Sequence, residues 1–156
     1  KLGRLFDTVA QAMSGIVYAA EKKEIAVSVD CPEDLTVFHD SKWTSEALFN
    51  LLDNAVKYTP EGSTIMVNSR QEGASAVIDV SDNGPGIPDE SKEKIFEMFY
   101  TTGHKSADGK RGMGLGLPLC RAILSAHKGT IEVLDNKPAG SIFRLTLPAK
   151  EVSLHE

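Results

Sequence analysis

The chain has 156 residues, of which 41% are hydrophobic and 25% charged, and its formal net charge is −5. These values are typical of one soluble globular domain, and the negative charge disfavours nonspecific binding to nucleic acid. Two distant cysteines, Cys31 and Cys120, show no metal-binding spacing and are expected to be free thiols. No apolar run approaches the roughly 20 residues that span a bilayer. We expect one domain over residues 1–150 and a polar tail over 151–156, excised from a larger protein because the chain starts at Lys1.

Periodic apolar residues predict the elements of the N-terminal third. A first helix covers Val9 to Ala20, with Asp7 as its N-cap and Gly15 as a weak point. Alternating residues over 25–29 predict a strand, and residues 36–38 predict a shorter one.

A long helix is predicted from Ser41 to Tyr58, because Asp40 or Ser41 can cap it and Pro60 cannot continue it. The later elements comprise two hairpins, two helices and a glycine- and lysine-rich loop, in this order: strands 64–70 and 75–81, helix 92–99, loop 100–114, helix 117–127, strands 130–134 and 141–147. This order predicts an α/β (α+β) two-layer sandwich, with helices on one face of a mixed, mostly antiparallel sheet.

A polar stripe runs along the long helix. Asn50, Asn54 and Lys57 fall on one side at about 100° per residue, and the apolar residues fall on the other. Asparagine is a mediocre helix former, whereas its carbonyl oxygen suits Mg²⁺, an ion that prefers oxygen ligands and keeps several waters. Lys57 would add positive charge near a phosphate. A solvated helix face explains the same residues, so both interpretations stay open.

The segment from Asp82 to Gly86 follows the second strand of the first hairpin. A carboxylate at a strand end can accept a hydrogen bond from an exocyclic amine, such as that of adenine. Gly84 and Gly86 allow the backbone to approach a ligand closely. The same residues are strong turn formers, so a plain turn is the competing interpretation.

A glycine-rich segment, Arg111 to Leu117, leads directly into the next helix. N–H groups at a helix N-terminus bind phosphate, and glycines leave them accessible. The segment is not a Walker A loop, because Gly-Lys-Ser/Thr is missing, and it follows no strand as a dinucleotide-binding turn would. Lys105, Lys110 and Arg111 could close over phosphates as a lid. A solvated loop is the alternative.

Together these motifs resemble the catalytic ATP-binding (HATPase) domain of sensor histidine kinases, within the GHKL superfamily, over roughly Leu5 to Pro148. Four segments are similar to the family's N, G1, F and G2 boxes, respectively Asn50–Tyr58, Asp82–Gly86, Ile95–Phe99 and Gly112–Leu117. The resemblance implies the Bergerat fold and binding of ATP with Mg²⁺. Two segments, 50–60 and 114–123, also look like the potassium/osmolarity sensor kinases.

The resemblance implies a role for each matching residue. Asn54 would ligate Mg²⁺ with support from Asn50, and Lys57 would contact phosphate; Asn50 and Lys57 are the candidate catalytic residues. Tyr58 would stack near the adenine, and Asp82 would bind its amine. Further residues implied at the nucleotide are Asn83, Gly84, Gly86, Ile87, Phe99, Lys105, Lys110, Arg111, Gly112, Gly114, Leu115, Gly116 and Leu117.

Asn50 separates subclasses of the superfamily. The ATP-hydrolysing members carry a glutamate there that activates water, whereas an amide cannot accept the proton. The resemblance therefore favours transfer of the γ-phosphoryl group to a protein side chain over hydrolysis. Glu46, one turn earlier on the same stripe, is a candidate substitute base.

In sensor histidine kinases the phosphate-accepting histidine lies in a separate helical-hairpin domain. The four histidines of this chain lack its pattern, so we expect ATP binding without self-phosphorylation. The implied partners are the histidine-containing dimerisation domain of the parent kinase and a response regulator. The domain itself is expected to be a cytoplasmic monomer whose parent is anchored in the membrane.

Two other functions fit the same boxes. A GHKL ATPase would use the nucleotide to drive a conformational clamp, and a serine-kinase regulatory module would phosphorylate a partner protein. Asn50 argues against the first of these. Two departures from the family lie outside the boxes: Lys128 stands where a glycine is common, and Trp43 stands where a basic residue is usual.

Overall fold

A computed structural model describes residues 1–97 and 116–149 of the chain. The strands are β1 (Leu2–Arg4), β2 (Ala26–Asp30), β3 (Thr36–Phe38), β4 (Thr64–Glu72), β5 (Ser75–Asp82), β6 (Thr130–Asp135) and β7 (Ser141–Pro148). The helices are α1 (Leu5–Ser14), α2 (Val17–Lys22), α3 (Ser41–Tyr58) and α4 (Gly116–Ala126). The predicted loop at 100–114 and tail at 151–156 lie outside the described residues.

The main sheet has five strands in the order β2-β4-β5-β7-β6. β2 runs parallel to β4, and the other three pairings are antiparallel. A separate two-stranded sheet joins β1 to β3. The predicted mixed, mostly antiparallel sheet is therefore confirmed, although β1 was not foreseen from the sequence.

Alternate residues of the central strands face the helices and form the core with them. Val67 of β4 lies opposite Val80 of β5, and both are buried. The other face carries an ion network, in which the Asp79 carboxylate accepts hydrogen bonds from Arg144 Nε at 2.8 Å and Arg70 Nη1 at 3.1 Å. Because the helices pack against one face, the two-layer prediction is confirmed. Asp82 lies two residues after Val80 and so shares the helix side of the sheet.

The predicted long helix is confirmed as α3. The Asp40 side chain caps it by accepting a hydrogen bond from the Trp43 N–H at 3.0 Å. Its apolar face is buried against α1, α4 and the sheet. Pro60 follows its end, as expected from the missing proline N–H. None of the helices over residues 1–97 and 116–149 has both the length and the apolarity needed to cross a bilayer.

The N-terminal helix prediction was wrong in two respects. Its N-cap is Arg4, and Asp7 lies within the first turn, where it forms an ion pair with Arg4 at 2.9 Å. The single helix is also interrupted at Gly15, which separates α1 from α2. A side chain at Gly15 would clash with the Phe49 ring, 2.8 Å from the position of its Cβ. Close packing of α1 against α3 therefore requires this glycine.

The predicted helix at 92–99 was also wrong. Residues 89–91 and 94–96 form two separate 3₁₀ turns, and residues 98 and 99 lie outside the described part of the chain. The first turn of a helix fixes several residues for only one hydrogen bond, so a continuous α-helix is unfavourable in a segment this short.

The end of α4 has the geometry of a Schellman motif. Gly129 N–H donates to Leu124 O at 2.7 Å, and Lys128 N–H donates to Ser125 O at 3.0 Å. Lys128 consequently adopts a left-handed backbone, with φ at 62°. This conformation explains why a glycine is common at this position in the family that the sequence resembles, because glycine adopts a positive φ without a steric penalty from a Cβ.

Replacing Lys128 with glycine is expected to raise the free energy of unfolding by about 0.5–1 kcal/mol. The left-handed conformation costs roughly 1–2 kcal/mol for an L-residue, and the greater freedom of glycine in the unfolded chain cancels part of that gain. Urea denaturation measures the change. Lys42→Gly, in the first turn of α3, is the control and should be destabilising. A loss of stability in both variants would contradict the prediction.

Candidate functional site

The Asp82 side chain lies at the end of β5 and is 9% exposed. Its Oδ1 accepts hydrogen bonds from the N–H groups of Gly84 at 3.0 Å and Ser141 at 3.3 Å. Its Oδ2 makes no hydrogen bond with any residue in the described part of the chain. Burial raises the pKa of the carboxyl, and the two N–H donors oppose that rise. The result is a carboxylate with one oxygen held in place and one available to a ligand.

The β6–β7 hairpin closes against the Asp82 turn, which we define as residues 82–86. Asn136 Nδ2 donates to Asp82 O at 2.8 Å. Gly140, with φ at +103°, lies so close that a Cβ would be 2.7 Å from Asn83 Cα and would overlap Asp82 O. Asn136 was not predicted as a site residue, because nothing local to residues 136–140 indicates that they contact residue 82.

The end of α3 contacts the same turn from the helix side. A Cβ on Gly84 would lie 3.0 Å from Thr59 Cγ2 and 3.5 Å from Tyr58 O. Asn83 Oδ1 accepts a hydrogen bond from the Thr64 N–H at 3.2 Å, so this side chain ties the turn to β4. The fold therefore brings the first two predicted motifs together, since the Tyr58 end of one lies against the glycine turn of the other.

The predicted stripe on α3 is only partly exposed. Asn50 and Asn54 are half-buried, and near Asn50 the buried Cys120 thiol of α4 donates to Ala47 O at 3.1 Å. Burial raises the pKa of Cys120 to about 12, so its thiol stays neutral beside Asn50. Lys57 was expected at a phosphate, and here its Nζ lies 2.9 Å from Asp53 Oδ2. An exposed ion pair with i,i+4 spacing is worth only about 0.3–0.5 kcal/mol, which makes Lys57 easy to release.

The residues fit a magnesium ion that is held mainly by amide and phosphate oxygens. Across residues 1–97 and 116–149, no three His, Cys, Asp or Glu side chains come together as a metal-binding group. An all-carboxylate cage is therefore missing from the described part of the chain. Mg²⁺ commonly takes one or two protein oxygens together with substrate phosphates and waters, which the Asn50–Asn54 stripe could satisfy.

A small second core lies beside the start of α4. Ile95, Phe96 and Val133 form it, and Ile87 and Leu117 pack against it. The two predicted nucleotide contacts Ile87 and Leu117 thus have a packing role. Gly116 begins α4. The other predicted residues of this region lie outside the described residues, namely Phe99, Lys105, Lys110, Arg111, Gly112, Gly114 and Leu115.

Two histidines have both ring nitrogens engaged in the fold. His39 is buried and lies between Val37 O at 2.8 Å and the Thr8 hydroxyl at 2.7 Å, and burial lowers its pKa. The His127 Nδ1–H donates to Ile123 O at 2.8 Å, while its Nε2 accepts from the Asp40 N–H at 3.0 Å. Both rings therefore have a structural explanation.

A family model described as histidine kinase-, DNA gyrase B- and HSP90-like ATPase matches residues 39–151. The chain belongs to this ATPase family. The match includes α3, the Asp82 turn and the β6–β7 hairpin, which are the parts that build the site. The domain therefore carries an ATP-binding fold, as the four boxes implied.

Curated relatives of this ATPase-family domain are sensor kinases. Sensor protein KdpD of Clostridium acetobutylicum is 35% identical over 151 residues, which is 95% of the chain and 17% of KdpD. The adaptive-response sensory kinase SasA of Nostoc sp. is 44% identical over 124 residues, which is 78% of the chain and 30% of SasA. The chain thus spans a minor part of each relative. The two matches do not single out one subfamily, so the likeness to potassium/osmolarity sensors stays a prediction.

Solved structures place the domain on the histidine kinase branch of the family. The nucleotide-free catalytic domain of histidine kinase ThkA superposes with a TM-score of 0.85 at 30% identity, covering 97% of this chain and 98% of that one. ThkA in complex with the response regulator TrrA superposes at 0.81 with 29% identity, covering 96% of this chain and 42% of that one. The predicted histidine kinase catalytic fold is thereby confirmed.

Proposed function

We propose that this domain binds ATP with Mg²⁺ and donates the γ-phosphoryl group to a histidine on a separate dimerisation domain of its parent kinase. The phosphoryl group would then pass to an aspartate of a response regulator. The observation that carries the proposal is the Asp82 carboxylate, which has one oxygen held by two N–H groups and the other available. Kinship with ThkA, which was solved with its own response regulator, supports the relay.

Asp82 would select adenine. When the carboxyl is ionised, its available Oδ2 is purely an acceptor, and the exocyclic amine of adenine is a donor. Fixing Oδ1 through Gly84 and Ser141 orients the carboxylate before ligand arrives, which reduces the ordering cost of binding. Tyr58 borders this turn and would stack near the adenine ring.

Asn54, supported by Asn50, would hold the magnesium ion. When bound, the ion would neutralise part of the charge of the phosphates. The neutral Cys120 thiol beside Asn50 adds no competing charge at that end of the stripe. Lys57 would leave Asp53 for a phosphate oxygen. Lys105, Lys110 and Arg111, together with the glycines at 112, 114 and 116, would hold the phosphates as a lid.

Transfer to a protein side chain is favoured over hydrolysis because Asn50 cannot accept a proton from water. Glu46, the candidate substitute, is exposed on the first half of α3. The catalytic contribution of the domain would then be positioning and electrostatic stabilisation of the transferring group. A cytoplasmic location and a membrane-anchored parent stay predictions.

The metal role of Asn54 has a direct test. Isothermal titration of ATP with and without Mg²⁺ should show that Asn54→Ala loses most of the affinity that Mg²⁺ adds, and changes metal-free ATP affinity less than about threefold. Asn68→Ala removes an amide from the opposite face of the sheet and is the matched control. An unchanged magnesium effect in Asn54→Ala would remove this residue from the metal site.

The reaction class is tested with the parent kinase's dimerisation domain and radiolabelled ATP. An acid-labile label on that domain, with none on this chain, is the expected result for phosphohistidine. An acid-stable label on a partner serine would favour the serine-kinase alternative. Sustained release of inorganic phosphate without a protein acceptor would favour the ATPase.

A further inference from the structure

The C-terminal end of α3 needs a hydrogen-bond donor from elsewhere in the chain. The Val56 carbonyl would normally accept from the N–H four residues later, but that residue is Pro60, which has none. The neighbouring Ala55 carbonyl is already satisfied by the Thr59 N–H at 3.1 Å. Val56 O is therefore an acceptor that has no donor within α3.

Lys23, the residue that follows α2, supplies the donor. Its Nζ lies 2.6 Å from Val56 O, 2.6 Å from Thr59 O and 3.4 Å from Lys57 O. A cation at a helix C-terminus also interacts favourably with the helix dipole. The position is partly desolvated, since burial lowers the pKa of Lys23 against the opposing effect of Glu61.

The main chain of Lys23 is bound to the same region. Its carbonyl accepts a hydrogen bond from the Gly62 N–H at 3.1 Å. Side chain and main chain thus hold the α3–β4 connection at two points, on either side of Pro60. A side chain that only filled space there would not provide this arrangement.

The connection held by Lys23 also borders the nucleotide site. Tyr58 O and Thr59 Cγ2 pack against Gly84, whose N–H orients the Asp82 carboxylate. A shift of the last turn of α3 would therefore move the residues that support Asp82. Three consecutive contacts join the Lys23 ammonium to the Asp82 carboxylate, namely the carbonyls of α3, the Thr59–Gly84 packing and the Gly84 N–H.

We propose that Lys23 is a positioning residue for nucleotide binding, which fixes the end of α3 so that Tyr58 and Thr59 stay against the Asp82 turn. It acts through α3 and touches no substrate. The proposal rests on the proposed ATP site, and it extends that site to α2, where none of the four boxes lies.

Titration of ADP into the wild type, Lys23→Met, Lys23→Arg and Lys22→Met tests the proposal. Lys23→Met should weaken ADP binding about tenfold, because small displacements of supporting residues loosen a site. Lys23→Arg, which keeps a charged donor, should recover most of the affinity. Lys22→Met, which changes the neighbouring exposed lysine, should stay within about twofold of wild type. Circular dichroism and urea denaturation establish that each variant is folded at the titration temperature.

Each outcome separates the two proposals. Lower stability with wild-type ADP affinity in Lys23→Met would give Lys23 a purely structural role and overturn the inference. Failure of the wild type to bind ADP or ATP would overturn the proposed function itself. If Lys23→Met does not fold, Lys23→Ala, which also removes the donor, takes its place under the same criteria. The NMR resonance of the Gly84 amide provides a second measurement. Without nucleotide, this resonance should shift in Lys23→Met but not in Lys22→Met.

Discussion

Replacing Asp82 with asparagine is expected to weaken ATP binding about 10- to 150-fold while leaving the fold intact. A hydrogen bond to a charged group is worth about 1.5–3 kcal/mol, which corresponds to this range. The asparagine Oδ1 would still accept the N–H groups of Gly84 and Ser141. Its amide nitrogen would replace the available Oδ2, so that a donor would face the donor amine of adenine.

Calorimetric titration of ATP measures this loss, and urea denaturation checks the fold. Asp135→Asn is the matched control, because it neutralises an exposed carboxylate at the end of β6. Equal ATP affinity in Asp82→Asn and wild type would show that this carboxylate does not contact the base.

The proposed contact between Asp82 and adenine also predicts that ATP affinity depends on pH. Burial raises the pKa of Asp82, so the carboxyl becomes protonated at a higher pH than a free aspartate as the solution is acidified. Wild-type ATP affinity should therefore fall as the pH drops through that raised pKa. The affinity of Asp82→Asn, which has no proton to gain at residue 82, should vary less over the same range.

Replacing Gly140 with alanine is expected to lower the free energy of unfolding by about 3 kcal/mol or more. The backbone at φ +103° is unfavourable for an L-residue, and strain of this kind costs about 1–3 kcal/mol. The added Cβ would also overlap Asp82 O and approach Asn83 Cα, and overpacking costs about 1–3 kcal/mol more. Relief of the overlap would separate the β6–β7 hairpin from the Asp82 turn.

Gly73→Ala is the control for this experiment. Gly73 also has a positive φ, at +60°, but a Cβ there would meet nothing within 4 Å. Gly73→Ala should therefore lower the free energy of unfolding only by the penalty for a left-handed backbone, about 1–2 kcal/mol. Urea denaturation of both variants separates conformational strain from overlap. Equal losses would mean that the hairpin does not press on residue 82.

Elements with strong local signals could be predicted from the sequence. The capping aspartate and Pro60 define α3 at both ends, and the predicted bounds agree with the structure. The two hairpins follow from alternation and turn residues, with strand ends shifted by only one or two positions. The four boxes identified the family because their order and spacing can be recognised in the sequence without information on tertiary contacts.

Other features could not be predicted, because the decisive partner is distant in the chain. Gly15 was predicted as a weak point of the first helix, but nothing near residue 15 indicates that the Phe49 ring packs against it. Asn83 was predicted at the nucleotide, and no local pattern indicated that its Oδ1 also accepts a hydrogen bond from the Thr64 N–H of β4. Lys57 is a different case, because its partner Asp53 is local and the i,i+4 pair was visible in the sequence but was not considered.

The sequence by itself determined which chemical groups are present and in what order, because periodicity, caps and glycine turns are local properties of the chain. It therefore determined the fold class, the family and the candidate residues on α3 and at the end of β5. Only the tertiary structure decided how these groups are held. The Asp82 carboxylate is oriented by Ser141, and α3 is completed by Lys23. Those partners lie 59 and 33 residues away, and packing of the sheet, helices and hairpin brings them into contact.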